Sequence, residues 1–99
     1  MRVNKMNVRI LVSGLVQGVG YRAWLKETAE VSGVTGWTRN LRDGQVEAML
    51  VGPAEMTKQV IELARRGPRN ARVDDVTERR AHADECALGL GSFRILPDA

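Results

Sequence analysis

Gly14, Gly18 and Gly20 fall within seven residues of Gly14-Leu15-Val16-Gln17-Gly18-Val19-Gly20-Tyr21-Arg22. An alternating apolar stretch precedes this run and a helical pattern follows it. Glycine accepts positive φ and lets another group come close to the backbone. A glycine loop that opens a helix turns several N–H groups toward one point, a concavity suited to an anion. Arg22 stands in the first helical turn, where a cation opposes the helix dipole, so helix energetics do not account for it and a bound anion would. The competing reading is a tight turn followed by a surface arginine. The run has neither the Lys-Ser/Thr ending of a P-loop nor the GxGxxG spacing of a dinucleotide turn.

Gly36-Trp37-Thr38-Arg39-Asn40 forms a second constellation. Asn40 offers an amide with two donors and an acceptor. It stands just before a turn, where Asn also serves simply to support the chain reversal.

The elements that must carry these groups are legible from periodicity. Val8, Ile10 and Val12 alternate with polar neighbours, which predicts a half-buried strand over about residues 6–13. Residues 21–32 read as a helix with Trp24, Leu25, Thr28, Ala29 and Ser32 on one face, closed by Gly33. Residues 34–41 and 45–51 read as strands joined at an Asp43-Gly44 turn. Gly52-Pro53 opens a second helix with an expected stripe of Met56, Val60, Leu63 and Ala64. Arg65 and Arg66 fill its last turn, and Gly67-Pro68 ends it. Residues 72–80 form a fourth strand, in which Val73 and Val76 have opposite parity, so a bulge or a late start is expected. A loop over residues 81–91 leads to a short edge strand, 92–96, with Phe93 and Ile95 facing inward. In the first-to-third-strand pairing that this order implies, the end of the second strand comes near the glycine loop.

The order βαββαβ plus one strand gives an α+β class: a ferredoxin-like split βαβ sandwich. An antiparallel sheet with both helices on one face and a short extra C-terminal edge strand is expected. That fold hosts enzymes, metal chaperones, RNA binders and regulatory domains, so it does not decide function.

Ninety-nine residues, 43% of them hydrophobic, suit one domain over 1–99. No apolar run is long enough to span a membrane, and Asn4, Asn7 and Arg9 interrupt any signal-peptide core. A lone Cys86 forms no internal disulfide and suits a reducing cytoplasm. With a single His82 it also makes a transition-metal site an unfavoured reading. The net charge is +3, with arginines gathered at 65, 66, 69, 72, 79 and 80, either a solvated basic surface or an anion-attracting patch. Tyr21, Trp24, Trp37 and Phe93 are few for a base-stacking surface.

The run Gly14–Arg22 resembles the first signature of the acylphosphatase family. Gly36–Asn40, followed by Gly44, Val46 and Gly52, resembles the second, and the likeness covers nearly the whole chain. Tyr21 stands where Phe or Met is usual, and Thr38 where Val, Ala or Cys is usual. The resemblance implies a metal-independent hydrolase without cofactors, cleaving acyl phosphates to a carboxylate and inorganic phosphate, and for a chain of this size a monomer is the default expectation. By motif position, Arg22 and the loop amides of Val16, Gln17, Gly18, Val19 and Gly20 would hold the phosphate, and Asn40 would orient the attacking water. Inorganic phosphate would then be both product and inhibitor. The chemistry is coherent in itself. An acyl phosphate is a mixed anhydride with a good leaving group, so holding the phosphate and placing a water is enough. No general base stands out beside the motifs. The substrate phosphate can take the water's proton, with a solvent-exposed Glu47 as the rival acceptor. The alternative function is a non-catalytic ferredoxin-like module that binds an anion or nucleic acid.

Overall fold

A computed structural model describes residues 4–81 and 91–99. The chain runs β1 (Lys5–Leu15), α1 (Tyr21–Val31), β2 (Thr35–Asn40), β3 (Val46–Pro53), α2 (Ala54–Arg66), β4 (Arg72–Arg80) and β5 (Phe93–Ile95). His82, Cys86 and most of the expected 81–91 loop lie outside the described residues. Among the described residues, no helix is long and apolar enough to cross a membrane.

The five strands form one sheet in the order β4-β1-β3-β2-β5. Val8, Ile10 and Val12 of β1 meet Val46, Ala48 and Leu50 of β3 on one face. Leu25 and Ala29 of α1 and Val60, Ile61 and Ala64 of α2 cover that face, so both helices lie on the same side. The period-2 pattern of the strands and the 3.6-residue period of the helices thus feed a single core. A second, smaller cluster of Trp37, Met49, Val51 and Ala81 lies on the opposite face.

Four departures from the expected elements have physical causes. The sheet is mixed, because β5 pairs parallel with β2. β4 ends at the same end of the sheet as the start of β2. A strand that enters the β2 edge from that end must run alongside β2. In β5, Phe93 is buried but Ile95 is exposed, since Ile95 lies where the cover of α1 gives out, at its first turn. In α2, Ile61 and Thr57 are buried and Leu63 is half exposed, so the inward stripe is rotated from the expected one. β3 also runs on through Gly52 and Pro53, held by its ladder to Met6 and Lys5.

The parity conflict in β4 is resolved by a bulge. Ser13 pairs with Asp75 and Gly14 with Val73, leaving Asp74 as the extra residue. Val73 and Val76 therefore both pack toward the helix-side core. Gly14 is required at this step. Its φ is +126°, and a Cβ there would come within 2.2 Å of the Arg72 carbonyl oxygen. The bulge shifts the β1–β4 ladder between Ser13 and Gly14, pairing then resumes through Leu15 with Arg72, and this local twist aims the glycine loop that follows.

Candidate active site

The sheet's directions bring five chain segments to one end. The C-termini of β1, β2 and β5 and the N-termini of β3 and β4 all lie there. The glycine loop leaves β1 at that end and enters α1 through Gly20, the N-cap residue, at φ +78° and ψ +17°. No side chain caps the helix and no acidic residue sits in its first turn. The first N–H groups of α1 therefore have neither an intrahelical acceptor nor a side-chain one, and the dipole's positive end is uncompensated.

Val16, Gly18, Gly20, Tyr21, Arg22 and Ala23 enclose a cavity of about 170 Å³, closed on one side by Ile95 of β5. A Cβ at Gly18 or Gly20 would meet nothing within 4 Å, so these glycines are kept for their positive φ rather than for lack of room. Val16 is buried in the core and anchors the loop from below. Two of the expected cradle residues, Gln17 and Val19, do not line the cavity. Val19 packs against the core, and the Gln17 side chain turns to the β2–β3 turn. A larger groove of about 620 Å³, lined by Lys5, Lys58, Arg79 and Arg80 among others, lies at the other end of β1, away from both glycine-rich runs.

The Arg22 guanidinium donates through Nη1 to Asp98 Oδ1 at 3.1 Å. The segment carrying Asp98 continues along the free edge of β2. Leu96 N–H donates to the Thr38 carbonyl at 2.9 Å, and Ala99 N–H donates to the Asn40 carbonyl at 3.0 Å. Arg22 and Asn40, eighteen positions apart in sequence, are thus linked through two adjacent tail residues. Asn40 is buried on the helix side of β2, and its Oδ1 is buried with no hydrogen-bond partner. A buried amide oxygen without a partner costs on the order of 1–3 kcal/mol unless something else fills its lone pairs.

Both sequence departures find a local explanation. The Tyr21 hydroxyl donates to the Ala64 carbonyl at 2.8 Å, satisfying one of the last carbonyls of α2 that has no helical donor. Burial pushes the Tyr21 phenol well above its ordinary pKa. Its ring lies 5.4 Å from that of Trp24. The Thr38 hydroxyl donates to the Glu47 carbonyl at 2.9 Å, so its polar atom is matched although the residue is fully buried.

Glu47 is not the exposed base that the sequence allowed. It faces the side of the sheet opposite the helices, is 2% exposed, and is held between Arg9 and Arg39. Its neighbours Val46 and Ala48 point to the helix side, so strand alternation alone sends Glu47 away from the cavity. Trp37, on the same outer face, lies beneath the Arg39 guanidinium at 5.3 Å and is 6% exposed, which leaves little ring for a base to stack on. Among the described residues, no group of three or more His, Cys, Asp or Glu could hold a metal ion.

Sequence reasoning missed three contributors: the side-chain role of Gln17, Asp98 on Arg22, and Ile95 as a cavity wall. Only Gln17 carried a signal, a long amide between two small or apolar residues in a loop otherwise built from backbone.

The profile of the family described as Acylphosphatase matches residues 8–95. An acylphosphatase of Bradyrhizobium diazoefficiens is 45% identical over 92 residues, covering 91% of this chain and 93% of the relative. One from Rhodopseudomonas palustris (strain BisB5) is 50% identical over 87 residues, covering 88% of each chain. The solved structure of an acylphosphatase from Coxiella burnetii superposes with a TM-score of 0.85 at 30% identity, over 94% of both chains. These matches run through the glycine loop, the Asn40 strand and the β1–β3 ladder that joins them, and the chain belongs to the acylphosphatase family.

Proposed function

We propose that residues 1–99 act as one domain that hydrolyses the carboxyl–phosphate bond of acyl phosphates, with Arg22 and the Val16–Gly20 backbone holding the phosphate and Asn40 placing the water. The observation that carries this reading is the convergence of Arg22 and an uncapped helix N-terminus on one small cavity. A dianionic phosphate answers both needs. The fork of an arginine matches two phosphate oxygens, and the loop and helix N–H groups take the others. Asn40 is neutral, so it can hold a water beside the anion without the repulsion an aspartate would bring. Its buried, unpartnered Oδ1 suits an acceptor for a water O–H.

In the reaction, the water oxygen forms a bond to phosphorus as the bond from phosphorus to the acyl oxygen breaks. The electron pair leaves with the carboxylate. The water's proton passes to a phosphate oxygen, so a dianionic acyl phosphate and water yield a carboxylate and dihydrogen phosphate. Charge moving onto the acyl oxygen and the equatorial oxygens is stabilised by donors already in place. The same pocket binds inorganic phosphate as a competitive inhibitor. A monomer in the cytoplasm, working without metal or cofactor, completes the proposal.

The test is benzoyl phosphate hydrolysis with and without EDTA, in wild type and in Arg22→Ala and Arg22→Lys. Wild type is expected to turn over equally in both conditions. Both variants are expected to lose roughly 10²–10³-fold in kcat/KM, because lysine replaces a planar fork by a point charge. A folded Arg22→Ala protein with wild-type turnover and wild-type phosphate protection against heat would refute the assignment.

A further inference from the structure

Gln17 spends its side chain on the β2–β3 turn. Its Nε2 donates to the carbonyl of Leu41 at 2.7 Å and to that of Gln45 at 2.8 Å, using both amide hydrogens. Leu41 follows Asn40 directly, and Leu41 N–H donates to the same Gln45 carbonyl at 2.8 Å, closing the turn. The turn returns a second tie to β1, since Gln45 Nε2 donates to Ser13 Oγ at 2.8 Å. These ties begin where the backbone ladders stop. The last β1–β3 pair is Val12 with Val46, and the last β2–β3 pair is Asn40 with Val46. The glycine loop and the Asn40 strand end have no sheet pairing to each other, because β3 lies between their strands, and Gln17 supplies a direct side-chain tie between them.

We infer that the Gln17 side chain is a positioning residue that sets the phosphate cradle in register with the Asn40 amide. This rests on the roles proposed above for Arg22 and Asn40. Hydrolysis needs the water on the line opposite the leaving oxygen. The phosphate is held by one segment and the water by another, so their relative placement decides the rate. A misplacement of about 1 Å costs on the order of 10²-fold. Gln17 is suited to the task because its backbone belongs to the loop between the buried Val16 and the cavity-lining Gly18. Its side chain, meanwhile, grips the residue next to Asn40. That side chain does not line the cavity. Its removal should leave the cradle's donors intact and disturb only the distance from cradle to water.

The experiment is a double-mutant cycle of Gln17→Leu and Asn40→Ala, read by kcat with benzoyl phosphate, inorganic phosphate affinity by calorimetry, and circular dichroism. Leucine keeps a branched side chain of similar bulk, one atom shorter, and removes both donors. Gln17→Leu is expected to lower kcat about 10- to 100-fold. Its phosphate Kd should stay within about threefold of wild type, because the backbone donors are untouched. In the Asn40→Ala background the same change should alter kcat by less than about threefold, because the group it positions is gone. Ser13→Ala, a milder cut in the second tie, should show the same split at smaller size and covers the case in which Gln17→Leu does not fold. Equal kcat losses in both backgrounds would mean a general structural role and overturn the inference. So would a phosphate affinity that falls in step with kcat, or folded Gln17→Leu and Ser13→Ala proteins with unchanged kcat. If Asn40→Ala itself keeps wild-type kcat while Arg22→Ala does not, the reading of Asn40 is what fails, and this inference falls with it.

Discussion

Asp98 occupies, with a carboxylate, the guanidinium that is expected to take the substrate's phosphate. Replacing it with Asn removes the charge and keeps the shape. The tail stays in place, because Leu96 and Ala99 hold it to β2 through backbone bonds. The size of the effect follows from the geometry. The contact is a single N–O pair at 3.1 Å, with side chains 32% exposed on Arg22 and 65% on Asp98. An ion pair this open to water is worth about 0.2–1 kcal/mol. An incoming phosphate must give up that amount before it gains its own contacts. Asp98→Asn should therefore tighten inorganic phosphate binding by about 1.4- to 5-fold. The gap between variant and wild type should narrow as salt is raised from roughly 0.05 to 0.5 M, since screening weakens the resident pair as well as the incoming one. Calorimetric titration of both proteins with phosphate at the two salt concentrations measures this directly. Unchanged affinity would show that the contact has no weight in solution. Weaker affinity in the variant would reverse the picture, making Asp98 a brace that holds Arg22 in its binding pose.

Two more outcomes are expected from the same geometry. Tyr21→Phe should lower stability to urea by about 1–2 kcal/mol, because the buried Ala64 carbonyl loses its donor, while kcat with benzoyl phosphate stays at wild type. The folded phenol's raised pKa adds a sign. Its contribution is fully present below the ordinary value of about 10 and is lost as pH rises beyond it, so the variant should lack that alkaline decline in stability. Glu47→Gln should cost about 1.5–3 kcal/mol in urea melts by weakening its bonds to Arg9 and Arg39. Its kcat should keep the wild-type pH profile through neutrality; a lost acidic limb in a folded variant would restore Glu47 as the proton acceptor.

What the sequence disclosed and what it hid divide along one physical line. The strand order, both helices, the bulge near Val73 and the glycine-to-helix step were legible because each is written in local backbone preference or in a short apolar period. Gly20 at positive φ before α1, and Gly67 at φ +71° after α2, are signals of that kind. The β5 direction, the exposed Ile95 and the turned face of α2 were not legible. Each depends on where a distant strand ends or on how one helix leans against another. Glu47 is the instructive middle case. Its parity within β3 was available from Val46, Ala48 and Leu50, and that parity already points it away from a site on the helix side. Its burial was not available, because the two arginines that enclose it come from β1 and β2.

The same division runs through the site itself. The proposed anion cradle of backbone N–H groups and one arginine is local chemistry, held within nine consecutive residues from Gly14 to Arg22. In the proposed mechanism the water opposite the leaving group is held from outside that segment, because the loop's donors all approach the phosphate from their own side. It needs a group delivered by another element, and the sheet delivers one by ending β2 beside β1's exit, with β3 between them. Sheet pairing sets that neighbourhood only as far as Val46, which is paired on both sides. Past that residue the glycine loop and the β2–β3 turn are tied by the glutamine amides of residues 17 and 45, and the tail residues Asp98 and Ala99 tie Arg22 to Asn40. If the positioning role inferred for Gln17 holds, a chain recognised by its glycines and its Arg–Asn pair depends on a contact that looks incidental in the sequence. Its reach, rather than its charge, is the property a substitution there would destroy.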